Sequence, residues 1–69
     1  MPPPAATTLR LRQIREDRKL SRFELAVLSD TSEATIVRAE RGAISPKLSH
    51  LEAWAAALET TVTELIGEA

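Results

Sequence analysis

One stretch, residues 21–42, limits the fold more than any other because two helix starts follow each other closely within it. Ser21 precedes Glu24 by three positions, which is the capping-box pattern that pairs the first free N–H groups of a helix. Ser32 is suited to cap a second helix with its hydroxyl group. Between these starts lies a polar turn in which Asp30 tolerates a left-handed backbone. Two short helices around a tight turn leave no length for a strand, so the stretch predicts a helix-turn-helix motif.

The segment before this motif predicts an arm and one more helix. Residues 1–7 are rich in proline and have nothing to bury, so we expect a flexible arm there. A single folded domain is expected over residues 8–69, a length near the lower limit for a self-sufficient core. Thr7 or Thr8 is the expected N-cap of a first helix that runs to about Arg18.

The segment after the motif predicts two more helices, so we expect an all-α, compact five-helix bundle. Gly42 suits the C′ position of the second motif helix, and Pro46 suits the first position of the fourth helix. Thr61 and Glu64 form a second capping-box pattern ahead of a short fifth helix. Apolar residues at helical spacing are the expected core: Leu11, Ile14, Leu25, Ala26, Ile36, Ala39, Leu48, Leu51, Trp54, Ala55 and Leu58.

Composition excludes several classes of function. The chain has no cysteine and a single histidine, His50, which excludes thiolate and multi-histidine metal sites and argues against a histidine-based triad. We find no nucleophile–base pair and no phosphate-binding loop, so we expect neither an enzyme nor a cofactor. No basic leader and no apolar run of about 18 residues is present. We therefore expect a soluble, cytoplasmic protein.

Charge is divided unevenly along the chain. The net charge is −1, whereas domains that bind nucleic acid are usually basic. Residues 1–47, however, contain all nine Lys and Arg residues against six acidic ones. Residues 48–69 contain four glutamates and no Lys or Arg. The chain therefore has a basic half that can approach a polyanion and an acidic half that would face away from it.

With its residues in this order, the chain resembles the repressor and Cro type of helix-turn-helix domain of lambdoid phages, the XRE-like family. The similarity runs from about Leu11 to Ile66. Its landmarks are short motifs in conserved order and spacing: L-x-x-I-R at 11–15, L-S-R-x-E-L-A at 20–26, S-x-x-T-I-x-R-x-E-R-G at 32–42, P-x-L at 46–48 and L-x-x-W-A-x-x-L at 51–58. The resemblance implies that the third helix, residues 33–41, lies in the major groove of double-stranded DNA.

The resemblance also implies which residues contact the bases. A major groove about 12 Å wide admits one helix, whose N-terminal side chains reach the base edges. Arg38 is expected to bind guanine O6 and N7, and Ala34 and Val37 are expected to meet thymine methyl groups. Glu33 either accepts a hydrogen bond from a cytosine amino group or only favours the helix N-terminus, where negative charge is stabilised.

Other positions match the phosphate contacts of the family. Ser21 and Arg22 lie at the N-terminus of the second helix, and Ser45 and Lys47 lie in the loop after the third helix. Glutamine is common at the position of Arg22, so arginine adds charge there. Thr35 either binds a phosphate or bonds back within its own helix.

The family pattern also predicts one structural ion pair. Arg15 and Glu40 match two positions that commonly pair in the family, and a bidentate bond between them would orient the third helix. Four other positions depart from the pattern. Lys19 replaces a helix-ending glycine and Asp30 replaces the usual turn glycine. Thr31 replaces a buried aliphatic residue, and Ala39 is smaller than the usual core residue.

The resemblance implies a transcriptional regulator, and we expect a repressor that binds a near-palindromic operator as a dimer. The homodimer surface is expected in the segment that begins at Thr60 and ends at Ile66. Phe23 and Val27 occupy positions that are usually polar, so we predict a protein-contacting patch there. An antitoxin or a restriction–modification controller protein would use the same module. A protein-interaction module that has lost DNA binding is the alternative from another class.

Overall fold

The fold is that of a computed structural model, which describes residues 9–67. The predicted arm and the two candidate N-caps, Thr7 and Thr8, lie outside these residues. Within residues 9–67 the chain forms the expected five helices and no strand: α1 (Leu11–Asp17), α2 (Arg22–Ser29), α3 (Glu33–Glu40), α4 (Leu48–Leu58) and α5 (Val62–Leu65). None of these helices is long and apolar enough to cross a membrane.

The two helices of the central motif begin with the caps that the sequence predicts. The Ser21 hydroxyl accepts a hydrogen bond from the Glu24 N–H at 3.0 Å, and the Glu24 carboxylate accepts one from the Ser21 N–H at 2.8 Å. This is a complete capping box. The Ser32 hydroxyl accepts a hydrogen bond from the Thr35 N–H at 3.1 Å. Local sequence therefore fixes where both helices start.

Two helices begin later than the sequence predicts. Among the described residues α1 begins at Leu11 with Arg10 as its N-cap, and no side chain caps it. α4 begins at Leu48 with Lys47 as its N-cap, so Pro46 lies before the helix. The proline ring fits an extended approach to the helix as well as its first turn, because both conformations share the same φ.

The second predicted capping box is only half formed. The Thr61 hydroxyl accepts a hydrogen bond from the Glu64 N–H at 3.1 Å, as predicted. The Glu64 carboxylate, however, accepts a hydrogen bond from the Thr60 hydroxyl and not from the Thr61 N–H. A stronger O–H donor on the adjacent residue therefore replaces the backbone donor.

Each of the five helices ends on a residue with a left-handed backbone, the last of them at Gly67 with φ 59°. Gly42 has φ 74° and Asp30 has φ 57°, at the positions where the sequence predicts such a reversal. Lys19, with φ 59°, adopts the conformation for which glycine is common in the family, and Glu59 does the same with φ 57°. Because a side chain crowds this conformation, Lys19 and Glu59 end their helices at a local energetic cost.

The core lies between the helices and contains the expected apolar residues with one exception. α2 packs against α3 and α4, α1 packs against α3, and α4 packs against α5. Leu48, the first residue of α4, is predicted to be buried but is 62% exposed. The apolar side chains of the core are fully or nearly fully buried: Leu11, Ile14, Leu25, Ala26, Ile36, Ala39, Trp54, Ala55, Leu58 and Leu65.

A chain of hydrogen bonds connects Trp54 in the core to the turn of the motif. The indole N–H of Trp54 donates to the Thr31 hydroxyl at 3.0 Å, and the Thr31 and Ser29 hydroxyl groups are 2.8 Å apart. Ser29 gives its own hydrogen to the Leu25 carbonyl at 2.7 Å, so Thr31 is the donor to Ser29. We call this set the Trp54 chain. It explains why a hydroxyl replaces an aliphatic residue at Thr31: the buried indole N–H requires an acceptor.

Candidate nucleic-acid interface

α3 buries one face and exposes the face on which base-reading residues are predicted. Ile36 and Ala39 are buried, as their helical spacing requires. The four predicted base-reading residues lie on the remaining surface of the helix, and only Val37 is half-buried: Glu33, Ala34, Val37 and Arg38. The structure therefore leaves all four outside the core, with Glu33 in the first turn of α3 and Arg38 in its last turn.

Thr35 forms a local contact. Its N–H donates to the Ser32 hydroxyl, and its own hydroxyl lies 3.4 Å from the same oxygen. The side chain therefore bonds to the cap of its helix and not to a carbonyl group one turn earlier. Its role as a phosphate contact stays a prediction.

Arg15, Glu40 and Arg22 form one buried group of charges, which we call the Glu40 cluster. The Glu40 side chain is only 2% exposed. Arg15 donates to it through Nε at 2.7 Å and through Nη2 at 3.2 Å, so the predicted bidentate pair is present. Arg22 adds a third bond, from its Nε to Glu40 Oε1 at 2.9 Å. Arg15 also donates to the Leu20 carbonyl at 2.7 Å.

The Glu40 cluster joins three helices at one carboxylate. Glu40 is the last residue of α3, Arg22 is the first residue of α2, and Arg15 lies in α1. The sequence predicted only the pair of Arg15 with Glu40 and assigned Arg22 to phosphate alone. No local pattern connects Arg22 with Glu40, because the two residues are 18 positions apart. Only the packing of α2 against α3 brings them together.

At the N-terminus of α2, the cap itself uses part of the predicted phosphate site. Glu24 binds both the hydroxyl oxygen and the N–H of Ser21. The hydroxyl hydrogen of Ser21 is not used in these bonds, and the residue is exposed. Ser45 and Lys47, the other predicted phosphate contacts, are exposed in the loop between α3 and α4.

Several cations are engaged within the protein. Besides the two arginines of the Glu40 cluster, Arg12 pairs with Glu16 at 3.2 Å, and Arg18 donates to the Leu58 carbonyl at 2.9 Å. Within residues 9–67, the other five form no ion pair and are exposed: Arg10, Lys19, Arg38, Arg41 and Lys47. Arg41 follows Glu40 directly and was not singled out from the sequence. With Arg38 and Lys47, it gives α3 and the loop after it a positive surface.

The apolar patch that the sequence predicts on α2 is exposed in the structure. Phe23 and Val27 are each 63% exposed, and Leu28 is exposed beside them. Together with Leu20 and Glu24 they line a shallow groove of about 260 Å³. Neither side chain contributes to the core of the domain.

The segment predicted as a dimer surface is used largely inside the subunit. Leu65 is fully buried, and Val62 packs against the core. Ile66, the remaining apolar side chain of this segment, lines an open groove of about 530 Å³ together with Ile44 and Leu51. Exposed apolar surface is therefore found at Ile44 and Leu48, ahead of and at the start of α4, rather than in the C-terminal segment.

Comparison with known proteins agrees with this geometry. A family model described as a helix-turn-helix domain matches residues 8–65. The immunity repressor protein of Bacillus phage phi105 is 39% identical over 59 residues, which cover 86% of this chain and 41% of the repressor. The chain thus spans about two fifths of that relative's length.

Solved structures of other regulators share the fold, including those of C.AhdI and ComR. The restriction-modification controller protein C.AhdI from Aeromonas hydrophila has a TM-score of 0.78 and 34% identity, covering 81% of this chain and 85% of the controller. ComR from S. thermophilus, in complex with DNA and its signalling peptide ComS, has a TM-score of 0.77 and 30% identity, covering 86% of this chain and 20% of ComR. The family match, the order of the helices and the exposed face of α3 agree. The chain belongs to the helix-turn-helix domain family, among regulators of the XRE-like, phage-repressor type.

Proposed function

We propose that this chain binds specific DNA sequences and regulates transcription in the cytoplasm as a repressor. The observation that carries the proposal is the exposed face of α3, which presents Arg38 and is followed by the exposed cations Arg41 and Lys47. An α-helix of this kind fits the major groove, and adjacent cations attract the phosphate backbone. The similarity to a phage immunity repressor supports repression as the direction of regulation.

Base recognition is assigned to four side chains of α3. Arg38 offers a planar set of donors that matches guanine O6 and N7, and no carboxylate within residues 9–67 occupies it. Ala34 and Val37 offer apolar surface to a thymine methyl group. Glu33 lies in the first turn of α3, where it stabilises the helix whether or not it meets a cytosine.

Dimer formation on DNA follows from the size of the interface. One small module buries little DNA surface, whereas two copies whose α3 helices lie about 34 Å apart reach successive major grooves. We place the dimer surface at Ile66 together with Ile44 and Leu48, because these three side chains are at least partly exposed. This surface retains Ile66 of the predicted C-terminal segment and adds Ile44 from the loop ahead of α4 and Leu48 from the start of that helix.

A second candidate function is that of a restriction–modification controller protein. The observation that favours it is the similarity to C.AhdI, of which the chain covers 85%. This candidate uses the same DNA-binding surface and differs in the genes regulated. The exposure of Phe23 and Val27 supports an added protein contact at the patch on α2, and the partner at that patch stays a prediction.

The deciding experiment is a selection of bound sequences from random duplex DNA. We expect an enriched, near-palindromic site whose half-site spacing reports two copies of α3 on one side of the duplex. Arg38→Ala should then lose preference at one base position in each half-site, at a cost of about 1–3 kcal/mol.

The matched control is Arg12→Ala, which removes an exposed cation that pairs with Glu16 on α1. This control should retain the selected sequence. Failure to enrich any sequence, or an equal loss of affinity for all duplexes in Arg38→Ala, would contradict the proposal.

A further inference from the structure

The Glu40 cluster connects a predicted phosphate contact to the helix that reads the bases. We propose, building on the DNA-binding function above, that Arg22 is a positioning residue that binds Glu40 and a DNA phosphate at the same time. The Nε edge of Arg22 binds the Glu40 carboxylate at the end of α3, and its terminal amino groups bind a phosphate of the DNA backbone. The contact with the phosphate and the orientation of α3 are thereby set by one side chain.

The geometry allows both contacts together. Arg22 is the first residue of α2, and its Nε donates to Glu40 Oε1 at 2.9 Å. A guanidinium group has five N–H donors in a fixed plane, and this bond uses one of them. The Arg22 side chain is 39% exposed, although the carboxylate that it contacts is only 2% exposed. Arg22 therefore reaches from a buried charge to the surface at the helix end where phosphates are bound.

Arg22 also supports one oxygen of Glu40 more closely than Arg15 does. Oε1 accepts from Arg22 at 2.9 Å but from Arg15 Nη2 at 3.2 Å, whereas Oε2 accepts from Arg15 Nε at 2.7 Å. Without Arg22, the shorter bond to Oε1 is lost and the carboxylate is oriented mainly from one side. Because Glu40 ends α3, a change in its orientation is transmitted to the base-reading face.

Neither lysine nor glutamine can replace this arrangement. Lysine retains the charge, but its donors radiate from a single nitrogen and do not present the two separate edges of a guanidinium group. Glutamine, common at this position in the family, has no charge for either the phosphate or Glu40. Arginine alone meets both requirements, which accounts for the departure from the family pattern.

The experiment compares three variants of the full chain, Arg22→Lys, Arg22→Gln and Lys47→Gln. Affinity is measured for the selected operator and for an unrelated duplex between about 50 and 200 mM salt. Lys47→Gln is the matched control, because Lys47 is an exposed cation that is also predicted to contact phosphate and that forms no ion pair with α3 within residues 9–67. Circular dichroism establishes that each variant is folded.

We expect the salt slope and the ratio of operator to unrelated affinity to respond differently to these variants. Arg22→Gln and Lys47→Gln should each lower the salt slope by about 0.9 per half-site, since each removes one cation. Arg22→Lys should retain the slope. Both Arg22 variants should reduce the ratio of operator to unrelated affinity by roughly tenfold, the cost of about one mismatched base pair, and Lys47→Gln should leave that ratio unchanged.

Two results would overturn the inference. One is an Arg22→Lys protein whose salt slope and ratio of operator to unrelated affinity equal those of the wild type. The other is an Arg22→Gln protein whose salt slope and affinity ratio equal those of Lys47→Gln. If Arg22→Gln fails to fold, Arg22→Lys still decides the question, because it keeps a cation beside Glu40. A wild-type protein that selects no sequence would overturn the proposed function itself, whereas wild-type selection with unchanged ratios overturns only the role of Arg22.

Discussion

The central motif is fixed at two places by different chemistry. Its outer ends meet at the Glu40 cluster, where Arg22, the first residue of α2, binds the buried carboxylate of Glu40, the last residue of α3. Its centre is fixed by the Trp54 chain, in which the hydroxyl groups of Thr31 and Ser29 connect the turn to the core. One connection is ionic and reaches the surface, and the other is neutral.

This difference has consequences for what each connection does. A buried carboxylate needs its cationic partners, because an unpaired charge in the interior is expensive. The same charges attract phosphate, so the Glu40 cluster is suited to couple DNA binding to the orientation of α3. Neutral hydroxyl groups cost less to bury and offer nothing to a polyanion. We therefore expect the Trp54 chain to affect stability alone.

The largest expected effect comes from removing the charge at the centre of the Glu40 cluster. Glu40→Gln removes the carboxylate that Arg15 and Arg22 share, leaving only the exposed Glu16 at 3.9 Å from Arg15, and should lower the free energy of unfolding by about 3–5 kcal/mol. Urea denaturation measures this loss. The control, Arg12→Gln, breaks the exposed pair with Glu16 and should cost less than about 1 kcal/mol after solvent screening. Equal losses in the two variants would show that burial adds nothing to the cluster.

A smaller effect is expected at the Trp54 chain. Thr31→Val leaves the buried indole N–H of Trp54 without an acceptor and should lower the free energy of unfolding by about 1–3 kcal/mol. In a Trp54→Phe background, where the donor is absent, Thr31→Val should cost less than it does in the wild type, and this double-mutant cycle separates the hydrogen bond from the cavity that the smaller ring leaves. Operator affinity should stay at the wild-type value in the folded protein. A change in the operator ratio in Thr31→Val would remove the distinction between the two connections.

The smallest effect is a gain of stability at Lys19, in the link between Arg15 and Arg22. Lys19→Gly relieves the left-handed backbone and should raise the free energy of unfolding by about 0.5–1 kcal/mol. Lys19→Ala is the control, because it removes the side chain but retains a Cβ atom in the same conformation. The comparison by urea denaturation isolates the backbone term. An equal gain in both variants would assign the effect to the lysine charge instead.

Much of the fold follows from signals that act over a few residues. The caps at Ser21 and Ser32, the reversals at Asp30 and Gly42, and the spacing of apolar residues all predict helices that the structure contains. The errors occur where the local signal was weak or ambiguous. Pro46 suits an extended segment as well as a helix start. Apolar spacing alone cannot show that Leu48, the first residue of α4, is exposed.

The candidate site divides in the same way. Helical periodicity places Ala34 and Arg38 on the face opposite Ile36, and both are exposed in the structure. The bond between Arg22 and Glu40 was missed, because an arginine at a helix N-terminus beside DNA has an obvious use in phosphate binding. Nothing in the neighbouring residues indicates that part of its guanidinium is already engaged.

The sequence by itself therefore determined the five helices, the turn and the exposed reading face, since caps and periodicity depend on residues three or four positions apart. Tertiary structure alone decided which partners the polar groups at Arg22 and Thr31 take. Those partners, Glu40 and Trp54, lie 18 and 23 positions away and become neighbours only when α2 packs against α3 and α4. A buried polar group must find a partner in three dimensions, and sequence separation does not reveal which one it is.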